Sequence, residues 1–178
     1  MKSLILLARH AMTQLQPPPL SLLDKYRGQD TKALYTATVR VTGGEAEHGR
    51  ASGVARSDDG NLDVALRLPA ELGGPGGGTN PEQLFAASYA ACFHGAMGLL
   101  AAKAGLDIAG SVVEVAVTFG RDPVDGLYLL SADVRIHLPG MQRATAEQLI
   151  RNAERVCPYS KMARQGIRNV VTLATQPA

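Results

Sequence analysis

ELGGPGGGTNPEQLFAASYAACFHGAMGLLAAKAG, residues 71–105, decides how the rest of the chain is arranged. A glycine-rich loop runs into Thr79 or Asn80, either of which can cap a helix. Pro81 suits the first helical position, Glu82 complements the dipole in the first turn, and Gly105 is a fitting stop. Between 84 and 102 only Ser88, Tyr89, His94 and two glycines interrupt residues that are otherwise apolar. Such a helix is apolar on nearly every face and is expected to be buried on all sides, at the centre of a fold or of an oligomer.

Upstream, ALYTATVRVT (33–42) reads as a strand rich in β-branched residues, and NLDVALRLP (61–69) places Leu62, Val64, Leu66 and Leu68 on one face. The connection between them, GGEAEHGRASGVARSDDG, has room for one more short strand, which makes an antiparallel meander. Downstream, SVVEVAVTFG (111–120) and LYLLSADVRIHLPG (127–140) predict two further strands. Thr145 then opens a helix with Gln148 as its capping-box partner and Leu149, Ile150, Ala153 and Val156 as its apolar stripe. Pro158 ends that helix, 159–165 resumes as a short one, and RNVVTLAT (168–175) supplies a last strand. The expected class is α+β, an antiparallel sheet in the order βββ-α-ββ-α-β around a long buried central helix. Residues 1–32, with PPP at 17–19 as a stiff spacer, form an N-terminal extension to a domain spanning 33–178; Met12 is an alternative start.

A chain of 178 residues can bury a core without disulfide staples. Its 18 basic and 16 acidic residues give a net charge of +2, and aromatic content is 4 % with no Trp. These values provide neither the electrostatic footprint nor the stacking platforms of a nucleic-acid binder. Arg9 and His10 break the N-terminal apolar run before a signal-peptide core is complete, and no stretch is expected to span a membrane. A cytoplasmic location follows as the expectation, and in a reducing compartment two cysteines that pair are more often catalytic or sensing than structural.

The glycine run GGPGGGTN lacks the Lys-Ser/Thr of a P-loop. Cys92 and His94, two residues apart, do not share a helix face, and four scattered histidines offer no paired metal spacing. The two cysteines therefore carry most of the chemical interest. Cys92 on a buried helix reads first as a small hydrophobe. Cys157 is less ordinary: with Pro158 opening the short helix it occupies the N-cap, where free N–H groups favour a thiolate, and a thiol at a chain break is expected to be exposed and mobile.

The run ELGGPGGGTNPEQLFAASYAACF, followed 65 positions after its cysteine by ERVCPYSKMARQG, resembles the organic hydroperoxide resistance (Ohr) branch of the Ohr/OsmC family of thiol peroxidases. The likeness covers roughly residues 33–176 and leaves the extension outside. It implies that Cys92 is a peroxidatic cysteine oxidised to a sulfenic acid by an alkyl or fatty-acid hydroperoxide, and that Cys157 resolves it as an intramolecular disulfide. It further implies regeneration by an external dithiol, a dihydrolipoyl protein, with no metal, haem or flavin, and an intertwined homodimer.

In this family an arginine held by a glutamate accompanies the thiolate. Glu82 matches the glutamate of NPEQ, and Arg50 is the chosen arginine by its Gly-Arg context, with Arg40 and Arg56 as weaker candidates. The plain alternative for Arg50 is a solvated loop charge. Glu82 and Cys92 are ten residues apart, about 15 Å along a straight helix, so either the helix breaks or a second subunit completes the cluster. A non-catalytic relative that binds an apolar ligand or senses thiol oxidation is the alternative function.

Overall fold

The computed structural model describes residues 20–44 and 51–174. After a short 3-10 turn at Leu20–Leu23, the order is β1 (Val39–Thr42), β2 (Ser52–Ser57), β3 (Asp63–Arg67), α1 (Pro81–Ala104), β4 (Val112–Arg121), β5 (Tyr128–His137), α2 (Arg143–Val156) and α3 (Pro158–Gln165). The class is the expected mixture of antiparallel sheet and helix. The single expected sheet is instead two: β1-β2-β3 in antiparallel order, and a separate β4-β5 hairpin. α1 lies between them in the chain, and no ladder joins β3 to β4.

α1 begins and ends as its sequence requires. Asn80 is the N-cap; its side chain accepts from the Gln83 amide at 2.9 Å, and Pro81 follows at the first helical position. Gly105 closes the helix in the left-handed region at φ 64°, its N–H returning to Ala101 and Ala102 carbonyls. The loop before α1 is tied to β3 by Thr79, which donates to Ala65 and accepts from Arg67. This fixes the start of the central helix against the three-stranded sheet.

One face of α1 makes the core. Tyr89, Phe93, Ala96, Met97 and Ala101 are buried against Leu149, Ala153 and Cys157, with Val113, Val115, Val134 and Ile136 of the hairpin packed alongside. Met97 is fully buried. The expectation of burial on all sides is corrected within one chain: Ala87, Ala91 and His94 are exposed and Leu99 and Leu100 only half-buried, because α2, α3 and β4 cover one flank. By length and composition α1 is also apolar enough to cross a membrane, contrary to the expectation that no stretch approaches a span, while one of its faces packs into the core.

Three further expectations are corrected. The first strand is confined to Val39–Thr42, since its ladder starts at the Val39–Ser57 pair and, among the described residues, no strand lies beside 33–38. The last strand does not form: residues 167–174 join no ladder in the described chain, leaving Val171 and Leu173 each 92 % exposed. α2 starts at Arg143 rather than Thr145, because the Gln142 side chain caps it by accepting from the Thr145 amide at 3.1 Å.

Candidate functional site

α2 and α3 meet at an elbow on Cys157, which is at once the C-cap of α2 and the N-cap of α3. Its extended backbone (φ −64°, ψ 118°) is the conformation that a following proline enforces, and Pro158 then supplies the first residue of α3. The apolar stripe of α2 runs on through the elbow, since Leu149, Ala153 and Cys157 recur at four-residue spacing and face α1 together. Cys157 is therefore fully buried, a correction to the expectation of an exposed, swinging thiol.

Across the interface stands Cys92, half-buried on α1. The two thiols, 65 positions apart in sequence, approach to 3.4 Å between sulfurs and are both free. A disulfide bond is about 2.05 Å long, so the pair is in contact without being joined. The helix amides are also redirected from what the sequence suggests. Cys157 makes no capping hydrogen bond with its own side chain, while the Tyr159 amide in the first turn of α3 lies close enough to the Cys92 thiol to lower its pKa.

Burial dominates the electrostatics of Cys92 and pushes its pKa up to about 11. The Tyr159 N–H opposes that rise, and the neighbouring Cys157 adds to it. Within one described chain Cys92 is thus a neutral thiol at pH 7, and its conversion to a thiolate calls for a cation. The two weaker arginine candidates are engaged elsewhere: Arg40 with Asp58 in the turn after β2, and Arg56 with Asp63 across β2 and β3 at 3.0 Å. Arg50 lies outside the described residues. Glu82 sits half-buried in the first turn of α1. Because α1 is unbroken from Pro81 to Ala104, Glu82 stands about 15 Å along the axis from Cys92, and the broken-helix option is removed. The structure brings Cys92 and Cys157 together and keeps Glu82 of the same chain apart from them.

The sequence reading missed the groups around the thiols. Phe85 and Tyr89 of α1 and Tyr159 of α3 form an aromatic cluster with centroid separations of 5.9 to 6.2 Å. Beneath it the Tyr89 hydroxyl donates to Ser160 Oγ at 3.1 Å in a buried hydrogen bond. The spacing of Phe85, Tyr89 and Cys92 on one helical face was the available signal. Among the described residues no group of three or more His, Cys, Asp or Glu converges as a metal centre would need. A groove of about 620 Å³ lined by Leu100, Lys103, Leu106, Gln148 and Leu149 lies toward the far end of α1, and neither thiol is in its wall.

The OsmC-like protein family matches residues 74–171. The organic hydroperoxide resistance protein of Xanthomonas axonopodis pv. citri (strain 306) is 46% identical over 145 residues, covering 80% of this chain and 96% of that one. The crystal structure of an organic hydroperoxide resistance protein from Legionella pneumophila superposes with a TM-score of 0.67 at 38% identity, covering 76% of this chain and 93% of that one. OhrB of Bacillus subtilis does so with a TM-score of 0.64 at 38% identity, covering 75% and 93%. The chain belongs to the OsmC-like protein family, in its organic hydroperoxide resistance branch.

Proposed function

We propose that the chain is a cysteine-based peroxidase that reduces organic hydroperoxides to alcohols. The supporting observation is the 3.4 Å contact between its only two cysteines, brought together from 65 positions apart by α1 and the α2–α3 elbow. The names of its relatives, organic hydroperoxide resistance proteins, point to the substrate class. The apolar and aromatic surroundings of Cys92 suit the alkyl part of such a substrate.

In the proposed cycle the Cys92 thiolate attacks the distal oxygen of ROOH. The O–O bond breaks, the alkoxide takes a proton and leaves as ROH, and sulfur keeps the OH as a sulfenic acid. The Cys157 sulfur then attacks Cys92, water leaves, and a Cys92–Cys157 disulfide closes. A dithiol, for which a dihydrolipoyl protein is the candidate partner, exchanges with that disulfide and restores both thiols. A cytoplasmic setting fits a couple that must be returned to its reduced state. No metal or organic cofactor enters these steps.

The cation for Cys92 is assigned to Arg50, oriented by Glu82, with both supplied across a two-fold dimer. An uncovered α1 flank and the exposed Val170, Val171 and Leu173 support a second copy completing the site. The raised pKa of Cys92 in one chain keeps a second reading in view, a non-catalytic protein that binds an apolar ligand or senses oxidation. Mixing the protein with cumene hydroperoxide and dihydrolipoamide separates the two. Peroxide loss that disappears in Cys92→Ser supports the peroxidase; loss that never occurs, or that survives the substitution, overturns it.

A further inference from the structure

We infer that Tyr89 and Ser160 are positioning residues whose hydrogen bond seats the first turn of α3 against Cys92, and so sets both the reactivity of that thiol and the approach of Cys157. Tyr89 and Cys92 are three residues apart on α1 and therefore neighbours on one face. Opposite them, Tyr159 and Ser160 are consecutive in the first turn of α3. One cross-helix hydrogen bond results, from the Tyr89 hydroxyl to Ser160 Oγ at 3.1 Å, and one turn away the Tyr159 amide acts on the Cys92 thiol to lower its pKa. Cys157, at the cap of the same short helix, makes the third contact at 3.4 Å.

The hydroxyl pair is an unusual investment for stability alone. Ser160 is 1 % exposed and Tyr89 6 %, in surroundings that are otherwise apolar. Replacing both members of a buried hydrogen-bonded pair by apolar groups of the same shape is often nearly neutral in stability. What such a pair adds is direction. α3 has only eight residues, and the aromatic stacking of Tyr89 on Tyr159 at 5.9 Å is less directional than a hydrogen bond. A hydrogen bond fixes one register, the one in which an α3 amide faces Cys92. An N–H donated to sulfur favours the thiolate, so loosening this register makes Cys92 harder to ionise.

The inference rests on reading Cys92 as the reactive thiol, and its test needs neither peroxide nor reductant, so it stands or falls apart from peroxidase activity. The rate of carbamidomethylation at Cys92, followed by peptide mass spectrometry across pH, is compared in the full chain and in Tyr89→Phe, Ser160→Ala and the double variant. Each single variant is expected to move the midpoint up by about half to one pH unit, a three- to ten-fold slower reaction below it. The double variant should move no further than either single one, since both remove the same bond, and should unfold near the parent temperature. A midpoint that stays or falls in a folded single variant, or shifts that add in the double, would overturn the assignment.

Discussion

The sulfur of Cys157, fully buried at the elbow between two helices, lies 3.4 Å from the sulfur of Cys92 on the central helix. Burial of the second thiol has a chemical consequence. Under the proposed cycle, a sulfenic acid on Cys92 would meet Cys157 by local adjustment rather than by a large movement of the chain.

Replacing Cys157 by Ser should leave the first oxidation intact and remove the step that ends it. The variant is expected to consume about one equivalent of organic hydroperoxide per chain and then stop, with Cys92 passing from sulfenic to sulfinic acid on further exposure. Intact-mass spectrometry after titration with peroxide checks this; sustained turnover with dihydrolipoamide would show that Cys157 is dispensable.

The choice among arginines can be decided by rate. Arg50→Ala should lower kcat/KM by about 100-fold, the order expected when a buried thiolate loses its partner at roughly 3 kcal/mol. Arg40→Ala and Arg56→Ala break exposed ion pairs with Asp58 and Asp63 and should stay within about two-fold. A large loss in either of the latter, with Arg50→Ala unaffected, would move the assignment.

The same substitution exposes the intrinsic pKa of the thiol. Without the cation, Cys92 retains the burial that raises it from 9.0 to about 11, so the folded chain holds a proton that the unfolded chain releases. The stability linked to that proton is fully present below about pH 9 and is lost as pH climbs towards 11. Thermal unfolding of reduced Arg50→Ala should therefore occur at falling temperature across this window, and adding Cys92→Ala should flatten the slope. Equal slopes with and without Cys92 would contradict this account of the thiol.

Asn80 provides a test of the scaffold apart from the chemistry. Its buried side chain accepts from the Gln83 amide at 2.9 Å, and Asn80→Ala should cost about 1 kcal/mol in urea unfolding. An unchanged midpoint would mean that water or Thr79 takes over the cap.

The central helix was legible from residues 71–105 at both ends, because capping residues act locally and their chemistry is written beside them. The pairing of Cys92 with Cys157 was legible only through resemblance to a family, as nothing local links positions 65 apart. The burial of Cys157 could have been read from Leu149 and Ala153, whose four-residue spacing extends to it, but the following proline drew attention to the chain break instead. The last strand and the full enclosure of α1 were misjudged for one shared reason. Both involve surfaces that the second copy proposed above would cover, and Val171 and Leu173 remain exposed in the described chain. Arg50 lies outside the described residues, in a stretch of sequence whose apparent insertions relative to the family blur the spacing that would identify it.

The claim on which everything rests is that Cys92 and Cys157 form one redox couple within a chain. Reduced protein is mixed with a single equivalent of cumene hydroperoxide, quenched with iodoacetamide and weighed without reductant. The account predicts a chain lighter by two hydrogens, free of carbamidomethyl groups, with a Cys92–Cys157 cross-linked peptide and peroxide consumed one for one. Two alkylated thiols with the peroxide untouched, or a disulfide joining two chains, would contradict it.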